Sequence, residues 1–153
     1  MRASGQRGFS LIELVVALGL LAGVLISISG MFVFGGRQVK SGRTSSEALS
    51  VARDILEEIN GWGFHETYAR FGYDGSQPSY TVDTRTNSFA KSNWQGILDQ
   101  KLLNAYAIIE IRSLSYSGSP PNLNATRAIR VLVTVNWREG GRSRSVQLGT
   151  VRI

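Results

Sequence analysis

The 153-residue sequence predicts an α+β chain in which a long N-terminal helix, apolar in its first half and amphipathic in its second, packs on a C-terminal antiparallel β-sheet. Three observations carry this expectation. The run from Phe9 to Phe34 holds a single charged residue, Glu13. Apolar residues then recur at helical spacing from Ala48 to Ile59. From Ile129 to Arg138, finally, apolar side chains fall on every second position, as in a half-buried strand.

The first half of the helix has the length and composition of a membrane anchor. At about 1.5 Å per residue, Phe9 to Phe34 spans roughly 39 Å, enough to cross a hydrocarbon core of about 30 Å with tilt. A cleaved secretory signal also begins with basic residues, here Arg2 and Arg7. The apolar run is too long for one, however, and no small-residue cleavage site closes it before Arg37. Charge does not orient the anchor, because Arg2 and Arg7 on one side face Arg37, Lys40 and Arg43 on the other. Glu13 stands out, since a carboxylate in such a run costs up to about 3 kcal/mol near a helix centre and less near its end. It needs a partner.

The segment Gly8-Phe9-Ser10-Leu11-Ile12-Glu13-Leu14-Val15-Val16-Ala17 resembles the processing site of type IV pilins and type II secretion pseudopilins. The resemblance implies that a prepilin peptidase cuts between Gly8 and Phe9 and methylates the new amino terminus. It also implies that Glu13 pairs with the new terminal amine of a neighbouring subunit. That amine is a cation at neutral pH, the partner a carboxylate in apolar surroundings calls for. Phe9 and Glu13 also lie one helical turn apart, so the pair can form within one chain, and the sequence leaves both arrangements open. Gly19 and Gly23 form a small-xxx-small spacing that admits a second helix closely, although glycine is common in membrane helices in any case. Where major pilins usually carry a helix-kinking proline this chain has Gly30, amid Ser27, Ser29, Gly35 and Gly36. The resemblance thus suggests local loosening of the helix in a filament. The expected organisation is a leader at 1–8, a transmembrane anchor at 9–36 and an extracytoplasmic head at 37–153. Within the head we expect an amphipathic helix at about 38–60, a variable loop region at about 61–104 and the sheet at about 105–153.

In the head helix, Ala48, Ala52, Ile55 and Ile59 form the apolar stripe with Leu49 and Leu56 beside it. Glu47, Asp54, Glu57 and Glu58 take the wet face, and Gly61-Trp62-Gly63 supplies the stop. The sheet draws on three candidate strands: Ala105–Leu114, Ile129–Arg138 and Ser145–Ile153. Glu139-Gly140-Gly141-Arg142 is the turn between the last two, with a change of face expected at Gly149. The stretch from Gly63 to Asn104 has little periodicity, with a short element expected around Trp94–Leu103. Its aromatics Tyr68, Phe71, Tyr73, Tyr80, Phe89 and Trp94 are expected to form a satellite core over the sheet. Val135-Asn136-Trp137, the Gly-Gly turn and Val146-Gln147-Leu148 resemble the C-terminal hairpin of PilV-like minor pilins.

Composition narrows the chemistry. The sequence has no cysteine, which excludes disulfides and thiolate sites, and His65 is its only histidine, which excludes a histidine-based metal cluster. Just past the helix stop, His65 reads as exposed or capping. No phosphate loop or carboxylate constellation stands out, so no cofactor, metal or catalytic residue is expected. Asn124-Ala125-Thr126 fits the glycosylation sequon, a short pattern that also arises by chance. The formal net charge is +6, of which Arg2 and Arg7 lie in the expected leader.

The expected function is structural. The resemblance implies a minor pilin held in the bacterial inner membrane with its head in the periplasm, then incorporated into, or priming, a type IV pilus. Its implied partners are other pilins and minor pilins through the anchor helices, the prepilin peptidase and an inner-membrane assembly platform. Within the family the alternative is a minor pseudopilin of a type II secretion system. Outside it, the alternative is a filament-tip module taking DNA or a surface through Arg138, Arg142 and Arg144 around the Gly-Gly turn. Arginines on the wet side of a sheet also read as a solvated face that discourages edge pairing.

Overall fold

The computed structural model describes residues 10–114 and 121–153, and the chain divides into two units at Lys40 and Ser41. Helix α1 runs Leu11–Gly61, 51 residues without a proline. In the first unit it carries an 18-residue stretch of mean hydropathy 2.6, none of it buried. Ser27 and Ser29 donate their hydroxyls to the carbonyls of Gly23 and Leu25, at 2.9 and 2.8 Å, so neither is left unpaired in an apolar setting. The helix is continuous through Gly30, Gly35 and Gly36.

In the second unit α1 buries Ala48, Val51, Ala52, Ile55 and Ile59. Val51 joins the stripe, whereas Leu49 is 37% exposed, because the i, i+3, i+4, i+7 pattern from Ala48 selects Val51 and turns Leu49 outward. The helix stops at the glycines, where the Trp62 amide bonds the Ile59 carbonyl at 3.2 Å in a tightened last turn.

The sheet is four-stranded and antiparallel, in the order β1 (Ser79–Asp83), β2 (Tyr106–Ser113), β3 (Ile129–Glu139), β4 (Arg142–Arg152). Ala107, Ile109 and Ile111 of β2 and Ile129, Val131, Val133, Val135 and Trp137 of β3 are buried in one core with the α1 stripe. Each large aliphatic side chain so covered contributes about 1.5–3 kcal/mol. Glu139 pairs with Arg142 across a two-residue turn in which Gly140 and Gly141 have φ of 55° and 80°, the left-handed backbone that a tight hairpin favours.

The strand does not change face at Gly149. Register stays continuous, and Val146, Leu148, Thr150 and Arg152 remain on the helix side. Gly149 instead makes room, since a Cβ there would lie 2.8 Å from Cδ1 of its cross-strand neighbour Leu132.

The stretch with little sequence periodicity is built from short pieces: α2 (Glu66–Ala69), β1, α3 (Ser88–Ala90), a π-helical stretch at Lys91–Gln95 and α4 (Gly96–Lys101). Strand β1 was not among the three candidates. Its five residues are mostly polar, and only Val82 is buried. Trp62, Phe71, Phe89 and Trp94 cluster with ring centroids 5.6–6.1 Å apart. The aromatics do not form a separate satellite: Tyr68, Phe71 and Trp94 are buried in the same core as the sheet and the α1 stripe, and Tyr73, Tyr80 and Phe89 pack against it. Thr84, fully buried, joins the pieces: its hydroxyl donates to Gln95 at 2.6 Å and accepts from the Ala107 amide at 3.0 Å.

Candidate functional site

Glu13 lies in the first turn of α1, preceded by Ser10, whose carbonyl accepts from the Leu14 amide at 3.1 Å. The free amides of a helix N-terminus favour a carboxylate there. Around it Leu11, Ile12, Leu14, Val15 and Val16 are all exposed, so the carboxylate sits in a sleeve of unpartnered apolar surface. Gly8 and Phe9 lie outside the described residues. Gly19 and Gly23 occupy one helix face with nothing within 4 Å of a Cβ built on either. Together with Leu20, Val24, Ser27, Ile28 and Met31 they line a shallow open groove of about 500 Å³.

The strand register divides the three arginines around the turn. Arg138, paired with Ser143, points to the outer face of the sheet. Arg142 and Arg144 pair with Glu139 and the buried Trp137, and so lie on the helix side at the hairpin tip. Glu139 anchors that tip to the start of the head helix, accepting from the hydroxyls of Ser41 at 3.1 Å and Thr44 at 3.2 Å, with Arg144 Nε 3.9 Å away. On the outer face Arg112 is paired with Glu110 at 2.6 Å. Arg85 pairs with Asp83 and lies 3.7 Å over the Tyr106 ring. The guanidinium beside Asp83 holds its carboxyl below the usual range.

His65 is exposed and makes no side-chain cap on α2; its Nδ1 lies 2.6 Å from the Tyr68 hydroxyl. Asn124 Nδ2 donates to the Asp74 carbonyl, so its Oδ1 takes the Tyr68 proton at 2.7 Å. The hydrogen of the His65 contact must then come from Nδ1. Burial pushes the Tyr68 hydroxyl up from its ordinary pKa, keeping it protonated as this network requires. Asn124 of the sequon thus has both ends of its amide engaged in tying two loops together.

Two residues that sequence reasoning did not single out hold the head together. Arg152 reaches from β4 to the end of α1, donating to the Ile59 carbonyl at 3.1 Å, the Trp62 carbonyl at 2.5 Å and Thr67 Oγ1 at 2.6 Å. Glu58 accepts from the Trp94 indole at 2.7 Å. Their only sequence signal was an arginine on the helix side of a strand and an acid beside the apolar stripe.

The described residues contain no group of three or more metal-ligating side chains. The chain matches no curated protein and no solved structure. Residues 3–32 match the family described as the prokaryotic N-terminal methylation motif. With the long apolar helix, that motif supports a type IV pilin-like or pseudopilin protein, a structural subunit processed by a prepilin peptidase and anchored in the inner membrane before assembly.

Proposed function

We propose that the chain is a minor, PilV-type pilin subunit, cut between Gly8 and Phe9, held by its anchor in the inner membrane with the head in the periplasm, and incorporated into or priming a type IV pilus. The observation that carries this reading is Glu13, a carboxylate in the first turn of a helix whose apolar half is wholly exposed, and inside the matched motif. Cleavage beside Phe9 creates the cation that satisfies it, and packing against a neighbouring anchor covers the apolar sleeve. Gly19 and Gly23 offer the face for close helix approach. The Ser27 hydroxyl on that face is already paired internally with the Gly23 carbonyl, so it asks for no partner from a neighbouring helix. A minor pseudopilin of a type II secretion system shares every one of these anchor features and is the alternative within the family. DNA capture draws less support, because the three turn arginines point to two faces and Arg85 and Arg112 are each paired with a carboxylate.

Glu13→Ala tests the proposal. Removing a carboxylate from the apolar run leaves membrane insertion intact while depriving the amine of its partner. Immunoblots of membranes and sheared filaments should show the variant retained in the first and depleted from the second. Equal incorporation of variant and parent would show that the pairing is unnecessary.

A further inference from the structure

The hairpin tip and the start of the head helix form one end of the head. Glu139 accepts from Ser41 at 3.1 Å and Thr44 at 3.2 Å, which ties the Gly140-Gly141 turn to the first residues of that helix. Ser41 follows Gly36, where the apolar stretch closes, by five positions, and a chain that short spans at most about 18 Å by any path. Basic charge collects at this end. Arg138, Arg142 and Arg144 are exposed, and among the described residues neither Arg138 nor Arg142 has a carboxylate partner. Glu139 and Glu47 are already engaged, the first as above and the second with Arg43 at 2.9 Å. Arg37 and Lys40 fall in the connecting stretch. Beside the turn the Arg138 amide donates to the Leu103 carbonyl at 3.0 Å, and the large apolar side chain of Leu103 is 69% exposed.

We propose that the hairpin tip rests on the anionic phospholipid headgroups of the membrane that holds the anchor, with the guanidinium groups of Arg138 and Arg142 on phosphate oxygens and Leu103 at the edge of the hydrocarbon. Basic side chains next to an exposed apolar one are the composition of a surface that lies on a charged membrane. Arg138 and Arg142 occupy opposite faces of the hairpin, which suits a duplex poorly but suits a plane met end-on, because one guanidinium reaches it on each side of the turn. Each planar fork can take two phosphate oxygens. The short chain back to Gly36 keeps the tip at high effective concentration over the surface, so contacts too weak to hold a free polyanion are occupied in the anchored protein. Docking belongs to the membrane stage alone, since withdrawing the anchor from the bilayer carries the tip away from the headgroups. The inference rests on the reading of the chain as a membrane-anchored subunit and adds a headgroup contact to it.

The chain has no cysteine, so single introduced thiols can carry a fluorophore. Ser143→Cys marks the tip and Ser76→Cys the other end of the sheet; both positions are exposed. Ser76 adjoins Gln77 and Pro78, whose carbonyls accept from the amides of Leu123 and Ser113, and Ser113 pairs with Ile129, the residue of β3 farthest from Glu139. The 11 residues of β3 set the two ends of the sheet roughly 35 Å apart. Processed full-length protein is reconstituted in vesicles of phosphatidylcholine alone, or of phosphatidylcholine and phosphatidylglycerol at two to one, each with some lipid bearing a nitroxide on its headgroup. In the anionic vesicles the label at 143 should be quenched more than the label at 76, and that excess should fall about threefold in phosphatidylcholine alone or at high salt. Arg138→Glu with Arg142→Glu should lower the ratio of docked to free tip about tenfold, and Arg138→Gln with Arg142→Gln by less, with the tryptophan-fluorescence melt of the head unchanged in both. Inorganic phosphate should release the tip no better than chloride at matched ionic strength; selective release by phosphate would make the tip an ion site and overturn the lipid-surface contact. Anchored protein whose tip label is quenched no more than the label at 76, or equally in the two kinds of vesicle, overturns the inference and leaves the anchored-subunit reading standing. Protein that alkaline carbonate strips from the vesicles overturns that reading, and the inference with it.

Discussion

Arg152→Ala tests how the sheet locks the long helix. In the parent the guanidinium makes three charge-assisted hydrogen bonds, two of them to carbonyls at the C-terminal end of α1 and one to fully buried Thr67. Hydrogen bonds to a charged group contribute about 1.5–3 kcal/mol each, and a cation at a helix C-terminus about 0.3–1 kcal/mol more. Arg152 is half-buried, so water re-solvates part of the vacated carbonyls, and Thr67 keeps its bond to the Gly63 carbonyl at 3.2 Å. The expected loss is about 2–4 kcal/mol, which for a unit of this size lowers Tm by about 8–15 °C. Trp62, Trp94 and Trp137, the three tryptophans of the chain, are all buried in the head, so their fluorescence in detergent-solubilised full-length protein reports head melting alone. Arg152→Lys keeps the charge but loses the planar fork and should recover less than half of the loss. An Arg152→Ala protein melting within about 2 °C of the parent would refute the proposed role of this lock.

Gly75→Ala should cost about 2–4 kcal/mol in the same melt. Gly75 has φ of 74°, and a Cβ there falls 2.5 Å from Asn124 Oδ1 and 2.7 Å from the ring of Tyr68, so both strain and overpacking apply; a change below about 1 kcal/mol would contradict the close approach. For nucleic acid, the full-length protein in detergent should bind duplex DNA no tighter than about 10⁻⁵ M at physiological salt, and reversing Arg138, Arg142 and Arg144 together should change that little. Tighter binding abolished by the triple reversal, with a flattened salt slope, would instead make the head a DNA receptor.

The apolar half of α1 and the last hairpin were legible because each follows from a one-dimensional pattern. Phe9 to Phe34 needs only length and the near absence of charge, and Ile129 to Trp137 needs only a period of two. The amphipathic half of α1 was read from Ala48, Ala52, Ile55 and Ile59, with Leu49 beside the stripe as its partial exposure shows, and only Val51 was left out of the buried set. Strand β1 escaped because Ser-Tyr-Thr-Val-Asp buries one side chain and is held to β2 by backbone bonds that any residue can make. Arg152, Glu58 and Gly75 escaped for another reason. Their roles depend on partners 85–93, 36 and 49 residues away in the chain, and no local spacing encodes such contacts. Opposite orientation of Arg138 and Arg142 across a two-residue turn, by contrast, follows from strand alternation once the register is known.

Everything proposed for the chain rests on the new amino terminus beside Glu13. Mass spectrometry of the N-terminal peptide from membrane-extracted protein, made in cells with and without an active prepilin peptidase, reads it directly. With the peptidase the chain should begin at a methylated Phe9, and without it residues 1–8 should be retained. A chain that keeps Met1 through Gly8 in the presence of an active peptidase, or is cut at any other bond, would contradict the proposal.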